Sequence, residues 1–214
     1  MKGANQTMKN VVVLGKGSLA IKICEWFNQN QYYNLIYVIP VIPSPNWTES
    51  FVSWCLDKNV NWIESGHYKD LPYLKIDLAF SCFYDKIIKK EFIIRCERIL
   101  NLHNSPLPHY RGVSPINWAL KDKRYEHGTT IHEITEGIDD GPIVSQVKYS
   151  IYPDIEEVID VYNKAINYGF TLFLETMPII DQIEAKEQSG EVIYHDSSEN
   201  KQLGDRIGFK RDES

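Results

Sequence analysis

The sequence predicts an α/β fold, an open and mostly parallel sheet with a short C-terminal extension, and three observations predict it. Through the first half, β-branched runs alternate with segments of helical periodicity, the order expected of consecutive βαβ units. The first run, residues 10–14 (NVVVL), has no polar face, as a strand buried on both sides requires, and it ends in the turn Gly15-Lys16-Gly17. At 214 residues, 43% hydrophobic and 24% charged, the chain has an ordinary globular composition and enough mass to bury a core.

Each element follows in order. Residues 18–28 place Leu19, Ile23, Trp26 and Phe27 at helical spacing, with Ser18 as a cap. A second strand over 34–39 stops at Pro40, and a loop rich in proline, serine and asparagine continues to Trp47. Residues 51–58 read as a helix, 60–63 as a third strand and 76–82 (IDLAFSC) as a fourth. A helix over 86–96 and a strand over 99–103 complete the first half. The second half differs. It holds a short helix over 113–121, two strands over 128–135 and 142–149 around a glycine-rich turn, and a long amphipathic helix over 154–180. Ile155, Val158, Ile159, Tyr162, Ile166 and Phe170 line one side of that helix. A polar tail carries one short strand over 192–194. No internal repeat or long linker interrupts the pattern, so residues 1–189 read as one domain and 190–214 as its tail.

Charge and cysteine usage exclude several classes. The formal net charge is −6, from 29 acidic and 23 basic residues, and no basic block offers a grip on phosphate backbones, so no nucleic acid partner is expected. No stretch reaches the length of an apolar membrane span, and the opening MKGANQTMKN lacks a signal-peptide layout. Cys24, Cys55, Cys82 and Cys96 are scattered without CxxC spacing, which reads as reduced, mostly buried thiols of a cytoplasmic protein. No metal site is expected: His132-Glu133 opens HEITE, which lacks the second histidine of HExxH. His109 and His127 read as surface-loop residues, and Phe51, Trp54 and Trp62 as core.

Gly15-Lys16-Gly17-Ser18-Leu19-Ala20 follows a strand, opens a helix and fits GxGxxA, the dinucleotide pattern. That pattern also needs an acidic residue at the end of the second strand, which here reads Tyr37-Val38-Ile39-Pro40. The motif therefore stands between a tight turn that needs glycine and a helix start whose N–H groups attract a phosphate; a non-catalytic protein or an NAD-type dinucleotide-binding module is the reading from a different class.

The segment from Asn101 to Gln146 carries the chemistry. Asn101 and His103 lie two apart at a strand end, so their side chains leave one face. Pro106 and Pro108 stiffen the chain beyond them, Arg111-Gly112 brings a cation into a turn, and Gly137-Ile138-Asp139-Asp140-Gly141 forms an acidic turn. An amide, an imidazole and a carboxylate suit acyl transfer to an amine: two donors for a developing oxyanion, and a carboxylate to orient the imidazole and assist proton movement.

This segment resembles the signature of the folate-dependent formyltransferases: an NxH pair, an SxLP run, a basic residue with glycine, and a DxG turn. Asn101, His103, Ser105-Pro106-Leu107-Pro108, Arg111-Gly112 and Asp139-Asp140-Gly141 match it in order and spacing, with Pro106 departing from the leucine many relatives carry. The resemblance implies a Rossmann-like formyltransferase fold and places the catalytic roles on Asn101, His103 and Asp139. It implies N10-formyltetrahydrofolate as cosubstrate, lying along Phe83, Tyr84 and Asp85 with its pterin against Gly137, Asp140 and Gly141. It implies direct attack of an amine on the formyl carbon, with no metal and no covalent enzyme intermediate.

Four acceptors occur in the family. Arg111-Gly112-Val113-Ser114-Pro115-Ile116-Asn117-Trp118 resembles the RGxxPxNW run of enzymes that formylate nucleoside-diphosphate-linked amino sugars for surface polysaccharides. The expected acceptor is therefore a sugar nucleotide, a dTDP-linked 4-amino or 3-amino dideoxy sugar. Lys16, Arg111, Asn117 and Trp118 are its candidate contacts. Phosphoribosylglycinamide formyltransferase of purine synthesis is the alternative within the family. The long helix and its apolar neighbours allow a homodimer.

Overall fold

In the computed structural model, which describes residues 8–209, the chain divides into two compact units, one ending at Asn101 and one beginning at Leu102. The division falls inside a strand, so no linker marks it in the sequence.

The first unit is built from β1 (Lys9–Gly15), α1 (Gly17–Gln29), β2 (Tyr33–Pro40), α2 (Phe51–Lys58), β3 (Ile76–Cys82) and α3 (Lys90–Ile93), and it ends within β4 (Cys96–His103). Strand β1 pairs in parallel with β2 on one side and β3 on the other. Val11, Val12, Val13 and Leu14 are wholly buried, which is why the run has no polar face. Helix α1 buries Leu19, Ile23 and Phe27, and Phe27 meets Tyr33 edge-on at 5.1 Å. Ser50 caps α2 by accepting the Ser53 N–H at 3.2 Å. Phe51 and Trp54 are buried as expected.

The turn after β1 explains the glycine motif by packing. Gly17 has φ of +74°, and a Cβ on Gly15 would stand 2.0 Å from the Cys82 carbonyl oxygen of the neighbouring strand. Helix α1 begins at Gly17, and its cap, Lys16, makes no side-chain capping bond, so Ser18 lies inside the helix instead of capping it.

Two expectations in this unit need correction. Residues 60–63 form only a bridge between Trp62 and Val38, held by Val38 N–H to Asn61 O (2.9 Å) and Ile63 N–H to Val38 O (3.0 Å). The helix expected over 86–96 shrinks to the four residues of α3. Tyr68 engages the stretch before it: its buried hydroxyl accepts from Lys89 N–H and donates to Ile87 O, each at 3.2 Å, and the Ile87 carbonyl is the one a helix from 86 would offer to Glu91 N–H.

The second unit holds β5 (Arg111–Gly112), α4 (Pro115–Lys121), β6 (Glu126–Glu133), β7 (Ile143–Ser150), α5 (Val158–Thr176), a 3-10 turn (Met177–Gln182) and β8 (Tyr194–His195). Strands β6 and β7 form an antiparallel pair with a register shift at Ile131/His132, and α5 packs on them. Helix α5 starts four residues later than expected, at a capping box in which Glu157 N–H donates to Asp160 Oδ2 at 2.9 Å. Ile155 consequently lies outside the helix and is 79% exposed, whereas Val158, Tyr162 and Ile166 are buried. Strand β6 starts at Glu126, ahead of the expected 128, so His127 is a strand residue with no exposure and not a surface-loop residue. The tail pairs through β8 in parallel with β5.

The larger sheet has the order β2-β1-β3-β4-β6-β7, the mostly parallel α/β arrangement the sequence predicts. Cys24, Cys55 and Cys82 are buried, Cys96 is half-buried, and all four are free thiols. No described helix is long and apolar enough to cross a membrane.

Candidate active site

Strand β4 carries Asn101 and His103 at its carboxyl end, the edge at which open α/β sheets bind ligands. Asn101 is half-buried and His103 is 8% exposed. The His103 Nε2–H donates to the Tyr110 carbonyl at 2.9 Å; because a carbonyl only accepts, Nε2 carries a proton. The other ring nitrogen, Nδ1, then faces Asp139, 3.5 Å from Oδ2.

The loop between β4 and β5 is pinned to the hairpin. Thr130 Oγ1 donates to Ser105 O at 2.7 Å and accepts from Leu107 N–H at 3.2 Å. Gln146 Nε2 donates to Leu107 O, and Ser105 Oγ to His109 O at 2.6 Å. These bonds hold the Ser-Pro-Leu-Pro run and thereby the Tyr110 carbonyl that orients His103.

The acidic turn lies between β6 and β7. Asp139 adopts φ of +50°, a left-handed conformation that aspartate tolerates better than bulkier residues. A Cβ on Gly141 would fall 1.9 Å from Glu133 O, so the turn closes only with glycine there. Asp140 points elsewhere, to the Thr135 hydroxyl, and Gly137 N–H donates to the same hydroxyl at 3.2 Å. Of the two carboxylates, only Asp139 enters the cluster.

That cluster has a member the sequence reading missed. His132 donates from Nδ1 to Glu133 O at 2.8 Å and presents Nε2 to Asp139 Oδ1 at 3.5 Å. The carboxylate thus lies between two imidazoles whose centroids are 6.4 Å apart, and Gly112 N–H adds a bond to Oδ2 at 2.9 Å. Burial alone raises the Asp139 pKa, but the His103 charge, the His132 hydrogen bond and charge, and the Gly112 N–H outweigh it and hold the carboxyl well below the usual range. His132 lies one residue before the end of β6 and just past the register shift at Ile131/His132, so strand parity offered no signal for it.

The other expected contacts separate into groups. In the second unit, Arg111 binds Gln188 Oε1 through Nε (3.1 Å) and Nη2 (2.8 Å). Asn117 is buried and donates to the Arg206 carbonyl, while Trp118, 4% exposed, stacks on His195 at 3.8 Å and 7°. The structure thus engages both α4 residues with the tail. In the first unit, Lys16 sits 5.7 Å above the Trp47 ring; burial lowers its pKa, with Asp85 and Cys82 acting against the shift. Phe83 has φ of +60°, Tyr84 donates its hydroxyl to Gly66 O at 2.8 Å, and the exposed Asp85 pairs with Lys86 at 3.2 Å. Among the described residues, no group of three or more His, Cys, Asp or Glu side chains is placed to hold a metal ion.

A mostly parallel α/β sheet with Asn-x-His at a strand end, and a carboxylate turn set against that histidine, defines a protein of the formyltransferase class. The chain belongs to the formyl transferase family, whose profile matches residues 58–177. It is 37% identical over 126 residues to the bifunctional polymyxin resistance protein ArnA of Wigglesworthia glossinidia brevipalpis, covering 58% of this chain and 18% of that one. It is 35% identical over 119 residues to methionyl-tRNA formyltransferase of Thermus thermophilus, covering 55% of this chain and 39% of that one. The chain therefore spans well under half the length of these relatives. Among solved structures, the N-formyltransferase from Helicobacter canadensis in complex with folinic acid and dTDP-3-aminofucose is 25% identical, with a TM-score of 0.78 over 90% of this chain and 72% of that one.

Proposed function

We propose that this chain transfers a formyl group from N10-formyltetrahydrofolate to the amine of a nucleoside-diphosphate-linked amino sugar. The observation that carries the reading is the Asp139 carboxylate, ionised and partly buried, 3.5 Å from the ring nitrogen that His103 does not commit to Tyr110. The likeness to a structure holding folinic acid and dTDP-3-aminofucose supports the choice of donor and acceptor.

The folate supplies the formyl group. The acceptor amine forms a bond to the formyl carbon, the bond from that carbon to the folate nitrogen breaks, and the proton lost by the amine ends on the folate nitrogen. Asn101 Nδ2–H and, when both ring nitrogens carry a proton, His103 Nδ1–H donate to the oxygen that gains charge. Asp139 orients His103 and, through it or a water, assists the proton transfer to the folate nitrogen. We assign folate contacts to Phe83, Tyr84 and Asp85 and to Gly137, Asp140 and Gly141. The Gly137–Asp140 turn is open to solvent on its outer face, and the Tyr84 hydroxyl is already tied to Gly66, so the loop presents backbone to a ligand. Lys16 and Arg111 are the cations assigned to the diphosphate, and Asn117 and Trp118 support the sugar-nucleotide side from beneath the tail. The product serves surface polysaccharide assembly, and the reaction runs in the cytoplasm, where the four thiols stay reduced.

Mass spectrometry tests this. Protein and N10-formyltetrahydrofolate are incubated with dTDP-, UDP- and GDP-linked amino sugars, glycinamide ribonucleotide and methionyl-tRNA. A formyl mass gained by one sugar nucleotide is the expected result. Gain confined to glycinamide ribonucleotide or to methionyl-tRNA would keep the chemistry and overturn the acceptor; release of free folate without transfer would overturn both.

A further inference from the structure

Asp139 needs outside support, because its left-handed backbone is a conformation that persists only where neighbours over-determine it. That support comes from a residue far along the chain. After the 3-10 turn the chain runs back beside β7, where Ile143 N–H donates to Lys186 O (2.7 Å) and Lys186 N–H to Ile143 O (2.9 Å). These bonds fix the backbone two residues before Gln188.

The Gln188 side chain is half-buried, and its amide is fully used. Nε2 donates to Asp139 O and to Gly141 O, each at 2.8 Å. Oε1 accepts from both Arg111 Nε and Arg111 Nη2. An amide offers two donors and two acceptor sites, and all four are engaged. The flipped amide would set oxygen against carbonyls and NH2 against guanidinium, so one orientation alone fits. The contacts also close a ring: the residue after Arg111 is Gly112, whose N–H donates to Asp139 Oδ2 at 2.9 Å. Asp139 is thus held at its backbone by Gln188 and at its carboxylate by the turn that Gln188 anchors.

We infer that Gln188 is a positioning residue for formyl transfer: its side-chain amide sets the Asp139 carboxylate against His103 and His132 and holds the Arg111 turn in register with the acidic turn. This rests on the proposed catalytic role of Asp139. Gln188→Glu separates the two functions, since a carboxylate keeps the acceptor for Arg111 but turns an oxygen toward the carbonyls of Asp139 and Gly141.

The test needs two readouts on the full chain. The first is 15N NMR of the histidine rings, which requires no substrate. Gln188→Ala and Gln188→Glu are expected to shift the resonances of His103 and His132 while that of His127, buried in β6 of the same unit, stays in place and reports intact folding. Unmoved His103 and His132 resonances in either folded variant would overturn the inference. The second is turnover with N10-formyltetrahydrofolate and dTDP-3-aminofucose as probes. Both variants should lower kcat by about tenfold to a hundredfold, the scale of a misplacement near 1 Å, with less change in KM. In an Asp139→Asn background the further loss from Gln188→Ala should fall below about threefold, because the two residues act as a unit. Losses that multiply would mark Gln188 as merely structural and overturn the inference. Wild-type kcat in Asp139→Asn alone would instead sink the catalytic reading of Asp139, whatever the NMR of the Gln188 variants shows.

Discussion

His103 Nδ1 and Asp139 Oδ2 stand 3.5 Å apart, facing one another but too far for a short hydrogen bond. The carboxylate has a second imidazole, His132, at the same distance on its other oxygen. The group is therefore ionised and ready to tighten on one side or the other as charge develops nearby, a common feature of catalytic hydrogen bonds without substrate.

Asp139→Asn should lower kcat by about a hundredfold to ten-thousandfold, the range of a lost acid–base group. It should also change how stability depends on pH. The folded pKa lies below the ordinary value of 3.8, so the stabilisation is complete above that value and is lost as pH falls further. Urea denaturation of wild type and variant should show a stability gap near neutral pH that narrows below that value. A gap independent of pH would mean that the carboxylate is not held ionised by its neighbours.

Asn101→Ala should lower kcat by about a hundredfold to a thousandfold, the cost of one oxyanion donor. Its position at the end of β4, half-buried, predicts a small change in melting temperature by comparison. Thermal scans alongside kinetics check this; an unfolded variant would assign Asn101 to structure.

His127 makes a pH prediction of its own. Burial lowers its pKa to about 4, with the Asn104 carbonyl opposing the shift and His103 adding to it. The ring stays neutral in the folded chain but takes up a proton near pH 6.5 once unfolded. Stability attributable to it should thus fall as pH drops from about 6.5 to about 4, by about 3 kcal/mol in total, and level off below. His127→Gln should flatten that slope. An unchanged slope in the variant would remove His127 as its source.

Trp118→Ala should destabilise the chain by about 3–5 kcal/mol, as removal of a buried indole does. It should also free the tail, since His195 stacks on this ring. Hydrogen exchange should accelerate at Arg111 and Val113, whose N–H groups donate to the Ile193 and His195 carbonyls of the tail. Unchanged exchange would show that pairing alone holds the tail.

Much of this architecture was legible because it is written in local patterns. The apolar runs at 10–14 and within IDLAFSC are strand signals independent of context, and both became strands. The parity of Asn101 and His103, and the Asp-x-Gly spacing that prefers Asp139 to Asp140, are local too. Asp139 is indeed the carboxylate that reaches His103, while Asp140 closes its own turn on Thr135. Where a distant side chain intervenes, the same reasoning fails: the 86–96 segment has helical spacing, but Tyr68 captures its backbone.

By itself, then, the sequence determined the α/β class, the family signature and the three residues proposed for catalysis, because each depends on spacing along a single strand or turn. Only the tertiary structure decided the rest. It brought His132 to the second oxygen of Asp139, buried Trp118 under His195, and set one glutamine amide between Arg111 and a turn 47 to 49 residues earlier. Those contacts obey hydrogen-bond geometry between segments far apart in the chain, and no periodicity within either segment encodes them.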